Sequence, residues 1–207
     1  MHSVFNDIQQ FDFAILNYIW LHWHTAWLDS LMISITTLGD SGFIWLIIGA
    51  YLLWNSAYRK TGVAIVLALG IGFLICNLGI KPLVGRLRPF EWDSAVQLLI
   101  TAPQGYSFPS GHTWSSFAMA TILMLERIPG RYIILGSAII MGFSRIYLYV
   151  HYPTDVLVGT LLGVLIGGLS VYTCCWLFKT YSHHLPNWLQ QPLGVERLDS
   201  FSINKNQ

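Results

Sequence analysis

The sequence predicts an all-α membrane protein, a polytopic bundle of about six helices. Of the 207 residues, 54% are hydrophobic and only 10% are charged. A soluble domain carries roughly a quarter charged residues, so the composition excludes most soluble classes. The length is that of one domain. A formal net charge of +1 without a basic run predicts no nucleic-acid partner.

The apolar stretches predict the individual helices. We expect N-terminal and interfacial helices over residues 11–41, beginning with a helix over about 11–27 that either spans the membrane or lies at its surface. Residues 42–54 form a short apolar run, and residues 62–80 are almost wholly apolar and long enough to cross a bilayer. Lys81-Pro82 is expected to end that helix. Further spans are expected over about residues 112–127, 131–150 and 153–178.

The domain organisation follows from these stretches. We interpret residues 1–178 as one membrane-embedded domain, with residues 42–178 as its catalytic core. Residues 179–207 form a polar tail. Three cysteines lie in apolar segments and predict neither a disulfide framework nor a metal site: Cys76, Cys174 and Cys175.

Basic residues are distributed unequally between the two ends of the predicted bundle. Alternation of the spans places one set on a single side: Arg59, Lys60, Arg127, Arg131 and Lys179. The positive-inside rule assigns that side to the cytoplasm. A second set then lies at the outer face, against the rule: Lys81, Arg86, Arg88, Arg145 and His151. These could be snorkelling side chains at helix ends, but their convergence on one face favours an anionic ligand.

One expected helix begins at that outer face with Pro109-Ser110-Gly111-His112. Ser110 suits an N-cap position, and Gly111 allows the backbone to approach a ligand. The free N–H groups and the positive end of the helix dipole attract an anion. The cations nearby could neutralise a phosphate, and arginine can bind two of its oxygens at once.

The segment from Arg145 to Asp155 places ionisable side chains between two apolar spans. Such side chains are costly in a bilayer and are usually functional where they occur. Pro153 fits the first helical position, so Asp155 lies in the first turn and can accept a hydrogen bond from His151. That bond would fix the tautomer and leave the other ring nitrogen free to attack. His112 could then protonate the leaving oxygen and later activate water.

Alternatives to this interpretation exist for the same residues. His151 and Asp155 could simply cap a helix, but capping does not explain Arg145 or His112. Two histidines and an aspartate could also bind zinc, but three cationic side chains would repel a metal ion. We therefore expect an enzyme acting on a phosphate ester without a cofactor. The spacing alone leaves open which histidine attacks.

Three motifs together resemble the signatures of the type 2 phosphatidic acid phosphatase superfamily, over about residues 29–178. They are Lys81-x6-Arg88-Pro89, Pro109-Ser110-Gly111-His112 and Ser144-Arg145-x5-His151-x3-Asp155. The resemblance implies a metal-independent phosphatase similar to the bacterial membrane lipid phosphatases. It implies that phosphate is held by Lys81, Arg88, Ser110, Gly111 and Arg145. It further implies that His112 is the acid, His151 the nucleophile that becomes a phosphohistidine, and Asp155 the residue that orients it.

The expected function is hydrolysis of a lipid phosphate or diphosphate at the outer face of the cell membrane, towards the periplasm or exterior. Undecaprenyl diphosphate is the first candidate; phosphatidylglycerophosphate, phosphatidate and lipid A phosphates are alternatives. A non-catalytic lipid or anion transporter is an alternative of another class. The expected partners are the lipid substrate and membrane lipids, and the sequence does not define an oligomeric state.

Two features keep more than one interpretation. Arg86 could contact the headgroup or lie at the surface. Gly159, Gly163 and Gly167 are spaced four residues apart in the last helix, and small residues at that spacing let helices approach closely. They could serve packing within the molecule or a dimer interface.

Overall fold

The computed structural model describes residues 2–93 and 95–181, which form a helical bundle. The long helices are α1 (His2–His22), α2 (Ala26–Leu38), α3 (Phe43–Trp54), α4 (Arg59–Gly72), α5 (Gly111–Leu125), α6 (Arg131–Tyr147) and α7 (Pro153–Tyr181). The predicted all-α fold class is confirmed. Most of the predicted polar tail, residues 182–207, lies outside the described residues.

Among the residues that the structure describes, two helical stretches are long and apolar enough to cross a membrane by themselves, Ser56–Trp92 and Pro153–Tyr181. Helices α2 and α3 together would form a third span with a bend of 51°. Helices α5 and α6, which we expected to span, have only 15 and 17 residues, fewer than the roughly 20 of a typical crossing. Helix α5 packs against α4, α6 and α7, so it mostly contacts protein.

The N-terminal region differs from the predicted single helix over residues 11–27. Helix α1 ends at His22, and α2 begins at Ala26 after Thr25 in an extended conformation (φ −142°, ψ 147°). Such a residue occupies the N-cap position and separates two helices. A hydrogen bond of 2.7 Å between His24 Nδ1 and Asp29 Oδ1 bridges the break. Helix α1 packs over the end of α6 and the beginning of α7.

We predicted that the helix containing residues 62–80 ends at Lys81-Pro82, but helix α4 leads into helical structure that continues past these residues. It continues as a π-helix over Phe73–Ile80 and then as an α-helical turn over Lys81–Val84. The π-helical spacing lets the Lys81 N–H donate to the carbonyl of Cys76. Pro82 therefore lies in the first turn of a new segment, where its missing N–H costs little. The chain finally turns at Gly85, whose φ of 60° favours glycine.

Helix α6 ends at Tyr147, before the predicted end at residue 150. The Leu148 N–H completes the last turn by donating to Ser144, and Tyr149 then takes a φ of 59°. A left-handed residue of this kind cannot continue a right-handed helix. The N–H groups of Val150 and His151 both donate to the carbonyl of Arg145 at 3.2 Å. The turn thus brings the backbone of His151 directly beside that of Arg145.

The spaced glycines of α7 serve packing within the molecule. A Cβ on Gly163 would lie 2.4 Å from the carbonyl oxygen of Trp114, and one on Gly167 would lie 2.7 Å from that of Ala118. These distances leave no room for any side chain. Helices α5 and α7 therefore approach to backbone contact, which confirms the intramolecular interpretation.

Gly163→Ala should destabilise the fold, because the added methyl group overlaps the backbone of α5. We expect a loss of about 1–3 kcal/mol in the free energy of unfolding. Gly168→Ala is the control, since a Cβ there meets nothing within 4 Å and alanine favours a helix by about 0.5–1 kcal/mol. Thermal unfolding in detergent compares the two. A Gly163→Ala protein as stable as the wild type would contradict this packing.

Candidate active site

A cavity of about 790 Å³ opens among α3, α4, α5 and the turn that follows α6. It brings together side chains from all three predicted motifs. The predicted residues that line it are Lys81, Arg88, Gly111, His112, Arg145 and His151. Ser110 and Asp155 do not line it.

Arg88 is fixed at the cavity by backbone carbonyl groups. It is 4% exposed and donates to the carbonyls of Gly105 at 2.8 Å, Val150 at 3.0 Å and Gln104 at 3.3 Å. Lys81 is held in the same way, by a 2.9 Å bond from Nζ to the carbonyl of Tyr106. Carbonyl partners orient both cations but leave their charge uncompensated, so the charge is available to an anion in the cavity.

Arg145 also reaches the cavity, from the last turn of α6. It is 2% exposed, and its Nη1 donates to the hydroxyl of Thr36 in α2. Its Nε is buried and makes no hydrogen bond with any residue that the structure describes. Buried donors almost always have partners. An unpaired donor at the wall of a cationic cavity is suited to an oxygen of a bound phosphate.

His151 presents its two ring nitrogens to different surroundings. Nδ1 lies 3.4 Å from Asp155 Oδ2 and 3.4 Å from Ser107 Oγ. Nε2 lies 3.3 Å from Arg88 Nη1. This environment favours the tautomer with the proton on Nδ1, and leaves the lone pair of Nε2 beside the cation that would hold a phosphate.

The charge state of His151 follows from its position in the turn between α6 and α7. Burial, and then the positive charges of Arg88, Arg145 and Lys81, lower the pKa of His151 well below its usual range. The ring is therefore neutral at physiological pH. A neutral imidazole is the form that can act as a nucleophile.

Asp155 is fully buried behind His151, away from the cavity. Its Oδ2 accepts hydrogen bonds from the hydroxyl of Ser107 and from the N–H of Tyr152 at 3.0 Å. Its Oδ1 accepts from Arg86 Nη1 at 2.6 Å. Asp155 can thus orient His151, but it cannot contact a ligand in the cavity.

His112 is the second residue of α5, and its Nε2 lies 3.1 Å from Oδ1 of Asp40. Asp40 belongs to a short 3-10 turn, Asp40–Gly42, between α2 and α3. The side chain of Ser110 does not cap α5, although Ser110 does occupy the N-cap position. Its hydroxyl instead accepts a 2.8 Å bond from Thr113. At the start of α5, then, Gly111 and His112 face the cavity.

Several residues of the site were not predicted: Asp12, Thr36, Asp40, Arg86 as a partner of Asp155, and Ser107. Asp12 is an aspartate in an apolar stretch. Ionisable side chains in such stretches are usually functional, so this rule would have identified Asp12 as a candidate site residue. Arg86 lies inside the first motif, between the two predicted cations. Thr36, Asp40 and Ser107 carry no signal of their own in the sequence.

No group of three or more His, Cys, Asp or Glu side chains among residues 2–93 and 95–181 could hold a metal ion. Metal independence remains a prediction for experiment.

Comparison with known proteins identifies the family. Residues 60–179 match the model of the PAP2 superfamily. The chain belongs to this superfamily. An undecaprenyl-diphosphatase of Sulfolobus acidocaldarius is 34% identical to this PAP2 protein over 161 residues, which are 77% of this chain and 75% of that protein. Residues 60–179, the part that matches the family model, contain every predicted site residue and exclude α1, α2 and α3.

Two solved PAP2 structures share the fold. Aquifex aeolicus LpxE superposes with a TM-score of 0.69 at 27% identity, covering 78% of this chain and 95% of that one. A transmembrane PAP2 type phosphatidylglycerolphosphate phosphatase from Bacillus subtilis superposes with a TM-score of 0.65 at 30% identity, covering 88% and 89%. The family, the fold and the enzyme class predicted from the motifs, a membrane lipid phosphatase, are confirmed.

From this geometry we predict different roles for Asp155 and Arg145, which kinetics can test. Asp155→Asn should lower kcat at least about 10-fold and leave KM nearly unchanged, because Asp155 contacts the histidine and not the cavity. Arg145→Lys keeps the positive charge but removes Nε and the planar guanidinium that can bind two phosphate oxygens. It should therefore lower kcat by about 10²-fold, with some rise in KM. Steady-state kinetics on one short-chain lipid phosphate measures both. A fully active Arg145→Lys protein, or an effect of Asp155→Asn on KM alone, would contradict these roles.

Proposed function

We propose that this PAP2 protein hydrolyses a lipid phosphate or diphosphate through a phosphohistidine intermediate on His151, with undecaprenyl diphosphate as the first candidate substrate. One observation supports this above the others. The neutral His151 has Asp155 behind Nδ1 and a cavity lined by three cations in front of Nε2.

Phosphate binding is the first step. The terminal phosphate lies among Lys81, Arg88 and Arg145, near the start of α5. Arg88 and Arg145 are held rigidly by protein groups, so they need little reorganisation as charge develops on the phosphorus oxygens. The unpaired Nε of Arg145 gains a partner in this step.

Attack on phosphorus is the second step. Nε2 of His151 forms the bond to phosphorus while the bond from phosphorus to the leaving oxygen breaks. The leaving oxygen takes a proton from His112, and the positive charge that develops on His151 is stabilised by Asp155.

Hydrolysis of the phosphohistidine completes the cycle. His112 takes a proton from water, the water oxygen attacks phosphorus and the phosphorus–nitrogen bond breaks. His151 is then neutral again.

The lipid nature of the substrate is supported by the shape of the cavity. It runs from the cations to an apolar part between α3 and α4, lined by Leu46, Val66, Leu69 and Phe73. A phosphate at the charged end would place an attached chain against these side chains, where burial of apolar surface is favourable. A polyprenyl chain and acyl chains share this property, so phosphatidylglycerophosphate, phosphatidate and lipid A phosphates are the alternative substrates. A non-catalytic transporter would have no use for Asp155 and Ser107 behind His151.

His151→Ala and His112→Ala should each lower phosphate release at least about 10²-fold, since they remove the nucleophile and the acid. The assay uses purified protein in detergent, a panel that includes undecaprenyl diphosphate and phosphatidylglycerophosphate, and a chelator throughout. With ³²P-labelled substrate and an alkaline quench, His112→Ala should retain labelled protein and His151→Ala should not. His22→Ala is the control, because His22 is exposed, contacts Tyr18 and does not line the cavity.

Three results would count against the proposal. Release by His151→Ala at the wild-type rate would exclude it as the nucleophile. Activity lost to the chelator and restored by zinc or magnesium would contradict metal independence. Absence of activity on every lipid phosphate in the panel would contradict the function itself.

We further propose that the protein lies in the cell membrane with its active site towards the periplasm or exterior. The beginning of α4 and the end of α7 meet at the end of the bundle opposite the cavity, where Lys60 Nζ lies 4.5 Å from the ring centroid of Phe178. The basic residues expected in the cytoplasm belong to this end. The positive-inside rule then orients the cavity outwards.

Cysteine labelling in intact cells tests this orientation. Gln97 and Ser56 are both exposed, Gln97 at the cavity end and Ser56 at the opposite end. Gln97→Cys should react with a membrane-impermeant thiol reagent and Ser56→Cys should not, with the wild type as the blank for the native cysteines. The reverse labelling pattern would contradict an outward-facing active site.

A further inference from the structure

Arg86 connects two buried carboxylates. Its Nη1 donates to Oδ1 of Asp155 and its Nη2 to Oδ2 of Asp12, both at 2.6 Å. Both aspartates are 0% exposed. The guanidinium also lies 3.7 Å from the ring centroid of Tyr152, the residue whose N–H donates to Asp155. Arg86 does not line the cavity, so its charge acts within the protein and not on a bound phosphate.

Asp12 joins α1 to the beginning of α7. Its Oδ1 accepts from the N–H of Thr154 at 3.0 Å, and its Oδ2 accepts from the hydroxyl of Thr154 at 2.5 Å and from Arg86. The Thr154 N–H belongs to the first turn of α7, where backbone donors have no partner within the helix. Asp12 thus holds the helix start that carries Asp155.

Helix α1 also holds the turn that presents His151. Tyr149, which has a φ of 59°, donates its hydroxyl to Asn17 Oδ1 at 2.6 Å. Phe13 packs edge-on against Tyr152, with ring centroids 5.4 Å apart. A non-glycine residue in the left-handed region persists when its surroundings fix it. Tyr149, two residues before His151, and Tyr152, immediately after it, are therefore anchored to α1.

The charges of this network alternate from Asp12 through Arg86 to Asp155. With Asp12 present, Arg86 is shared between two carboxylates, and the side of the site behind His151 stays negative. Without Asp12, the full charge of Arg86 would offset that of Asp155. His151 gains positive charge when it attacks phosphorus, and it would then lose part of its stabilisation.

We propose that Asp12 and Arg86 are positioning residues for the His151–Asp155 pair, and that α1 is part of the working site although it lies outside the region matched by the PAP2 family. This inference rests on the proposed function. It predicts an effect on turnover and on bond formation to Nε2, with no effect on the binding of phosphate by the cavity cations.

The test compares Asp12→Asn with Asp7→Asn, the same substitution at an exposed position of α1. Asp12→Asn should lower kcat about 10- to 100-fold, the scale for residues that orient a functional histidine, and change KM by less than about twofold. Inhibition by inorganic phosphate should stay the same. Inhibition by vanadate, which mimics five-coordinate phosphorus bonded to the histidine, should weaken in parallel with kcat. Asp7→Asn should match the wild type in all four measurements.

The double variant shows whether Asp12 acts through Arg86. If it does, Asp12→Asn/Arg86→Met should lose no more activity than Arg86→Met alone, because coupled residues are not additive. In the double variant Asp155 still accepts hydrogen bonds from the hydroxyl of Ser107 and the N–H of Tyr152, so this variant serves as the test protein if Asp12→Asn does not fold. In that case its kcat and vanadate affinity should fall while KM and phosphate inhibition are kept.

The possible outcomes separate this inference from the proposed function. An active wild type whose Asp12→Asn variant keeps wild-type kcat and vanadate affinity overturns the inference and leaves the function standing. A variant that loses phosphate inhibition as much as kcat also overturns it, because that result indicates general damage to the cavity. A wild type without phosphatase activity overturns the proposed function and the inference together.

Discussion

The hydrogen bonds from Arg88 to backbone carbonyls are the interaction on which the site depends. One guanidinium binds the segment that contains Gln104 and Gly105 and also the carbonyl of Val150. It therefore connects the first motif to the loop before the second and to the turn of the third. A cation buried at the end of an apolar bundle must satisfy its donors locally. That requirement brings together segments that the helices alone would not align.

The family motifs allowed most of the proposed chemistry to be predicted from the sequence, because local helix rules define the relative positions of the residues within each motif. Pro153 sets the helix start that places Asp155 in its first turn, and the glycine before His112 opens α5 towards the cavity. Such relations extend over a few residues and can be deduced from local rules. Their convergence at one end of the bundle followed from the alternation of the spans.

The remaining parts of the structure depend on contacts between distant residues. The π-helix over Phe73–Ile80 differs from an α-helix in the spacing of its backbone hydrogen bonds, and its mostly apolar sequence does not indicate which spacing forms. Tyr149 adopts a left-handed conformation that a tyrosine does not favour, and side chains of α1 and of the segment around Val96 pack against it. Asp12 and Asp155 are far apart in the sequence, and only the folded chain shows that Arg86 joins them. The boundaries of the N-terminal helices were predicted wrongly, because the sequence did not indicate that Thr25 would take an extended conformation and separate α1 from α2.

The glycine contact between α5 and α7 has a consequence for how relatives of this protein can diverge. It locks together the two helices that carry His112 and Asp155, and the N–H of Ser110 reinforces the contact by donating to the carbonyl of Asp155 at 3.2 Å. The opposite wall of the cavity, formed by α3 and α4, contains no proposed acid or nucleophile. The apolar side chains that this wall contributes to the cavity, such as Leu46, Val66 and Leu69, can therefore change without altering the reacting groups themselves. The proposed reacting groups and the side chains proposed to contact the lipid lie on different helices, which separates the chemistry from the choice of lipid.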